Sequence, residues 1–285
     1  MKFESIFFAR ARQHGRVSGL SVLILVLLVV SGRASAQVDP WELEVYPYAT
    51  EARGMAQFES GNAVVAKGHS QAGNGTSGGT FPSEGTWYQQ LEVDYGVTDR
   101  LEADAMLDLA QPSAQGYWYA GSKYSLRGKV SDEGIVPFKS GWYAELEWRK
   151  TPQFDSNELQ LDLRPILEKE LGRVSMVLNP KFEKAIFLGP NKNRGFEFGY
   201  AAGVYLRWLR VLSPGVEFYG GIGFIDGSEP LKQQQHYIFP LLTGELPKGI
   251  DYNIGPGLGL TRGSDRVLMK FNIGLERFVG IVGRP

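Results

Sequence analysis

The chain has 285 residues, 43% of them hydrophobic, 12% aromatic and 21% charged, with 36 Gly, no Cys and a formal net charge of −1. So large an apolar share with so little charge excludes an intrinsically disordered chain. The lack of Cys excludes a disulfide scaffold, a thiolate metal site and a Cys nucleophile. A near-neutral balance leaves no electrostatic footprint for nucleic acid.

The first element is an export signal. Lys2, Arg10, Arg12 and Arg16 form a basic n-region, and Leu20 to Val30 form an apolar h-region. Ala34-Ser35-Ala36 is a small-residue cleavage site, which predicts Gln37 as the first mature residue. Eleven residues at ~1.5 Å rise cover about 16 Å of a ~30 Å hydrocarbon core, too little for an anchor. Losing Lys2, Arg10, Arg12, Arg16 and Arg33 together with Glu4 leaves 25 basic and 30 acidic residues, a net of −5.

Beyond residue 36 the pattern has period two almost throughout. Leu101, Ala103, Ala105, Leu107 and Leu109 share one face, with Glu102, Asp104, Met106 and Asp108 on the other. Trp142, Ala144, Leu146 and Trp148 oppose Tyr143, Glu145 and Glu147 in the same way. A helix scatters such sets around its circumference, whereas a pleated strand sorts them. The spacing predicts twelve strands, at about 41–50, 86–97, 100–110, 116–128, 138–150, 157–167, 173–184, 195–210, 214–225, 235–243, 250–260 and 265–277. Most exceed the ~5–6 residues usual in soluble sheets and suit the ~9–11 that cross a bilayer at a tilt. Long links, 51–85 above all, follow odd strands and short ones follow even strands, as in bacterial outer-membrane barrels.

Alternation alone does not say which face is wet. A soluble β-sandwich or barrel with charges in bulk water has the same pattern. The export signal, the strand-end aromatics (Trp41, Trp87, Trp118, Trp142, Trp148, Phe196 and Trp208) and a face dense in charges of both signs favour apolar-out, polar-in. The fold class expected is therefore all-β, a closed antiparallel transmembrane barrel of about twelve strands over 37–285. The lumen-lining candidates are Glu102, Asp104, Lys123, Arg127, Glu145, Glu147, Asp162, Arg164 and Lys270. They would set a transverse field across a pore or knit adjacent strands by salt bridges. Inner glycines such as Gly255, Gly257 and Gly259 would widen the lumen, admit an inserted loop from 51–85, or ease curvature.

No catalytic, cofactor or metal site is expected. His69-Ser70 lies in a Gly-rich stretch, and a His-activated Ser needs rigid elements and a third orienting group. His236 and His69 make no metal cluster by themselves. Asn74-Gly75-Thr76 matches a glycosylation triplet of low specificity.

Tyr95-Gly-Val-Thr-Asp-Arg-Leu-Glu-Ala-Asp104, Leu163-Arg-Pro-Ile-Leu-Glu-Lys169 and Asn179-Pro-Lys-Phe-Glu-Lys184 resemble a bacterial family of phenol-degradation meta-pathway outer-membrane proteins and related uncharacterised barrels. The resemblance implies an outer-membrane barrel passing hydrophobic or aromatic compounds. Its partners would be outer-membrane lipid, the barrel-assembly machinery during biogenesis, and a small-molecule solute. The expected function is a passive channel or uptake pore. The alternatives are a closed barrel whose long loops bind a ligand, and an outer-membrane lipid-modifying enzyme.

Overall fold

The computed structural model describes residues 37–70, 82–132, 134, 136–151, 156–189 and 191–278. The export signal and the 74–76 triplet lie outside them. Twelve antiparallel strands form the wall: β1 (Met55–Lys67), β2 (Trp87–Thr98), β3 (Leu101–Gln111), β4 (Trp118–Ser131), β5 (Lys139–Thr151), β6 (Ser156–Leu171), β7 (Val174–Leu188), β8 (Glu197–Leu206), β9 (Ser213–Phe224), β11 (Gln235–Leu246), β12 (Ile250–Gly259) and β13 (Val267–Phe278). The two-residue β10 (Gly227–Ser228) extends β9 as a small hairpin. Each wall strand pairs with its sequence neighbours, and β1 pairs with β13, so the sheet closes without an edge. Hydrocarbon tolerates only such a closed sheet, because an open edge leaves backbone groups unsatisfied.

The pleat sorts the faces as the sequence predicts. Leu91, Leu107, Leu126, Leu146, Leu163, Ile254 and Ile273 are exposed on the outside, while their neighbours Glu92, Asp108, Arg164 and Lys270 are buried. Trp118, Trp142, Trp148 and Trp208 are exposed outward. Residues 165–171 continue β6, and Pro240 lies within β11.

One predicted strand is placed differently. Residues 41–50 are not part of the wall; the first wall strand is 55–67, inside the stretch read as the 51–85 link. Residues 37–54 run as an extended segment through the barrel. At one end the Val38 N–H donates to Gln235 Oε1 at the start of β11 (2.8 Å), on the side of the long 225–234 link. At the other end Tyr48 OH donates to Asp132 (2.7 Å) in the β4–β5 turn, and Gly54 N–H donates to the Gly96 carbonyl (2.8 Å). The period-two pattern of 41–50 is real, but its two faces meet two halves of the lumen instead of lipid and water. Trp41 accordingly leaves the predicted outer girdle: it lies inside, edge-on to Tyr88 at 4.9 Å, and its indole N–H donates to the Leu109 carbonyl.

Candidate functional site

The lumen has two unlike halves, and the 37–54 segment bridges them. Along β11, β9 and β13, Tyr237, Phe239, Leu241, Tyr219 and Leu268 form an apolar wall, against which Leu43 and Val45 of the segment pack. Burying such side chains stabilises by ~1.5–3 kcal/mol each when fully removed from water. From β2 to β7 the wall is charged, and Asp39, Glu42, Tyr46 and Tyr48 turn toward it.

Lys123 on β4 is the centre of the charged half. Its Nζ lies 2.6 Å from Asp39 Oδ2 and 3.0 Å from Glu42 Oε2, both on the segment, and 3.8 Å from Asp108 Oδ2. Glu42 also meets Arg164 Nη1 at 2.6 Å, and Arg164 reaches Asp162 on its own strand at 2.5 Å. Asp39 has a longer contact with Arg149 at 3.6 Å. The ions are excluded from water, so each depends on its partners: an isolated charge there carries a desolvation cost of several kcal/mol.

Tyr46 is gripped on every side. Its ring stacks on Tyr143 with centroids 4.4 Å apart, between the guanidinium groups of Arg127 (5.5 Å) and Arg164 (5.2 Å). Its hydroxyl donates to Glu42 (2.7 Å). Its backbone is clasped by one side chain: the Tyr46 N–H donates to Asn179 Oδ1 (2.8 Å) and Asn179 Nδ2 donates to the Tyr46 carbonyl (3.1 Å). Further down, Tyr48 N–H donates to Glu168 (2.9 Å) and Glu51 N–H to Glu102 (2.5 Å).

The nine sequence-derived candidates all sit on the inner side of the wall. Glu102, Asp104, Lys123, Glu145, Glu147, Asp162, Arg164 and Lys270 are buried, and the Arg127 side chain is 11% exposed. The structure divides them by neighbour. Lys123, Arg164 and Glu102 bond to the segment directly, and Arg127 lies over its Tyr46 ring. Arg127 pairs with Glu102 at 2.5 Å. Glu145 accepts from Tyr143 OH (2.5 Å), Glu147 pairs with Arg149 (2.7 Å), and Asp104 accepts from Ser125 (2.5 Å). Lys270 faces the other way: it pairs with Glu217 at 2.6 Å, which also accepts from Tyr205, Tyr219 and Asn253. The carboxylates of Glu92, Asp94 and Asp104 lie within 4.8 Å of one another, as do those of Glu42, Glu145 and Asp162, so either set is close enough to share one cation.

Sequence reasoning missed Asp39, Glu42, Tyr46 and Asn179. Glu42 and Tyr46 fall within the stretch read as a wall strand, Asp39 lies just before it, and Asn179 reads as one more polar inner residue. Pro47, within the supposed first strand, was the available signal, because proline cannot donate to a ladder.

The inner glycines admit neighbours. A Cβ on Gly257 would lie 2.2 Å from the Phe239 ring, and one on Gly255 2.3 Å from the Pro240 carbonyl oxygen. The inserted element is 37–54, and within the stretch read as the 51–85 link residues 55–67 form β1.

The barrel is similar to a solved structure, the COG4313 outer membrane channel from Pseudomonas putida F1, with a TM-score of 0.59 and 12% identity over 85% of this chain and 100% of that one. The chain has the fold of an outer-membrane barrel. LpxR from Salmonella typhimurium is a more distant likeness in shape, with a TM-score of 0.42 and 10% identity over 77% of this chain and 99% of that one. CdiB from Acinetobacter baumannii has a TM-score of 0.42 and 8% identity over 82% of this chain and 65% of that one. No family model matches the sequence. No curated protein matches it.

In an outer-membrane barrel the short turns face the periplasm and the longer loops face outside. Residue 37 then lies near the outer mouth, and the chain descends through the lumen before β1 climbs back. Ser70 is exposed near the outer end of β1, and the His69 N–H donates to Ser83, not Ser70 (2.9 Å). Ser83 in turn donates to Asp265, so this trio fastens the 68–86 and 260–266 links together. His236 is held by Tyr200 OH at Nδ1 (3.1 Å) and Gln234 Oε1 at Nε2 (2.9 Å).

Proposed function

We propose that the protein is a pore of the bacterial outer membrane for small solutes, and that residues 37–54 are its removable plug. The observation that carries this reading is the manner of attachment. The segment crosses the lumen and is held there by ion pairs, by wall side chains that bond its backbone, by apolar contacts and by a backbone bond from Gly54 to Gly96, with no strand pairing to the wall among the described residues. Elements that move are drawn from those held by few backbone bonds. The charged half would orient a polar solute, and the apolar half offers a surface to a hydrophobic or aromatic one. The resemblance to phenol-degradation outer-membrane proteins supports the second class of solute. We read the chain as a channel and not as a lipid-modifying enzyme, since Ser83 and His69 act as a loop fastener.

The test is planar-bilayer recording and liposome swelling on the purified, folded protein and on a variant lacking 37–50. Heat-modifiable gel mobility confirms that the variant barrel is folded. The reading expects small or intermittent currents from the complete chain, and large steady currents with solute flux from the variant. A folded variant that passes neither ions nor solutes overturns it.

A further inference from the structure

Charge inside the wall is balanced in one region and unbalanced in another. Around the plug's ions the carboxylates have cations: Glu42 meets Lys123 and Arg164, and Asp162 meets Arg164 and Lys181. Across β1, β2 and β3 the ladder does the reverse. Glu59 stands directly opposite Glu92, and Asp94 directly opposite Asp104, all four on the inner face. Like charges set opposite each other weaken a sheet, and here two such pairs follow one another along β2. Among the described residues none of the four forms an ion pair. The cations whose fields reach them are engaged elsewhere, Arg127 by Glu102 at 2.5 Å and Lys270 by Glu217 at 2.6 Å.

Three of these carboxylates converge. Glu92, Asp94 and Asp104 each bring an oxygen within 4.8 Å of the other two. All three are buried, Asp94 at 6% and Asp104 at 7% exposure. Ser125 donates to Oδ2 of Asp104, but the Oδ1 atoms of Asp94 and Asp104 are both shut off from water with no hydrogen-bond partner. A buried ionised oxygen left without a partner is costly, and the wall offers these two no donor. Glu44 of the plug adds one more negative charge to the same field, acting on Glu92 and acted on by Asp94. The set of Glu42, Glu145 and Asp162 differs, because Arg164 already stands against two of its members.

We propose that Glu92, Asp94 and Asp104 form a calcium site on the inner face of the wall. All the donors are carboxylate oxygens, which suit a hard cation. A calcium shell of ~2.3–2.6 Å radius spans ~4.6–5.2 Å between opposite ligands, and the 4.8 Å spread of this triad fits inside it. Magnesium, at ~2.0–2.1 Å, needs its ligands drawn closer and gives up its waters reluctantly. The ion takes the two orphaned oxygens as ligands and turns the repulsion between Asp94 and Asp104 into a bridge from β2 to β3. Its remaining charge offsets Glu59 and the plug's Glu44. Asp94 lies four residues before Thr98, the end of β2, so the site stands nearer the periplasmic mouth. Nothing in it depends on whether the barrel conducts.

The test uses the purified, folded protein, stripped with a chelator and titrated with calcium chloride in a calorimeter. The expected result is one ion bound per barrel, at a lower concentration than magnesium chloride requires. Asp94→Asn with Asp104→Asn should abolish the binding, and Glu92→Gln alone should weaken it. Glu84→Gln, at an exposed pair with Lys67, should bind as the unaltered protein does. The second readout is the temperature of the gel-mobility shift. In chelator the double variant should shift at a higher temperature than the unaltered protein, because the opposed charges are gone. Added calcium should raise the unaltered protein and leave the double variant where it was. Several outcomes overturn the site: no saturable calcium binding, equal binding by the double variant, or a double variant that shifts at a lower temperature in chelator. Binding lost in Glu145→Gln but kept in the double variant overturns it too, since the ion would then sit among Glu42, Glu145 and Asp162. Magnesium bound as tightly as calcium overturns the choice of ion.

Discussion

Replacing Lys123 with Met removes the cation on which the plug is centred. The side chain is fully buried, and two of its three carboxylate partners, Asp39 and Glu42, belong to the plug. Glu42 keeps Arg164 at 2.6 Å, but the cation left to Asp39 is Arg149 at 3.6 Å, beside the Trp41 N–H at 3.0 Å, so one carboxylate is left poorly compensated. Breaking a buried pair by deleting one partner costs ~3–5 kcal/mol. With Glu42 still paired, the lower end applies, and about 3 kcal/mol is about two decades in an equilibrium constant. The loss falls on plug docking rather than on the wall, because β4 stays paired to β3 and β5 along its length. Single-channel recording of Lys123→Met should show open events about a hundredfold more populated than in the unaltered protein, by the same conversion. Adding Asp39→Asn removes the uncompensated charge and should restore much of the closed population, a non-additivity expected of residues in one network. Lys67→Met, at a solvent-exposed pair with Glu84 (3.1 Å), should change nothing. A folded Lys123→Met barrel whose open population matches the unaltered protein would refute the reasoning.

Other expectations follow from the same contacts. Asn179→Ala strips the clasp from a buried backbone N–H and C=O of Tyr46; at ~1–3 kcal/mol per unsatisfied group the plug loosens, seen as faster proteolysis of 37–54 in the folded barrel. Glu51, at the periplasmic end of the plug and outside the strands, has its carboxyl pushed up to about 7 by burial and by Glu102, Glu276 and Asp94. The folded state binds its proton more tightly than the free chain, so docking is firmest at low pH and weakens as pH rises from about 4.5 to about 7. Open events should increase across that window and level off above it, and Glu51→Gln should flatten the profile in bilayer recordings. Gly257→Val drives a side chain into Phe239, with even its Cβ 2.2 Å from the ring, and overpacking of this kind costs ~1–3 kcal/mol. The expected readout is a lower temperature for the gel-mobility shift.

The wall was legible because lipid and lumen impose opposite demands on alternate residues, as at Leu101 to Asp108. The first strand was not. On β1 the outward positions Ser60 and Asn62 are polar, and Asn62 bonds to Ser60 and takes the Trp87 indole N–H (3.1 Å), so they satisfy one another outside the barrel. That pair breaks the alternation over 55–67. Segment 41–50 has a better pattern than the true first strand, because Glu42 and Tyr46 face ions while Leu43 and Val45 face Phe239 and Leu241. Periodicity reports two different environments and not which two. Parity alone put the nine candidates on one face, whereas their neighbours on the plug required the fold.

The central claim is that the lumen is the route and 37–54 its occupant. Tyr46→Cys with Tyr143→Cys places thiols where two rings stack at 4.4 Å, in a chain with no other Cys, and a short thiol-reactive disulfide linker joins them. The measurement is current through a single bilayer before and after adding reductant. The account predicts a silent channel while the link is intact and open events once it is cleaved. Steady current through the linked protein, indifferent to reductant, would contradict it.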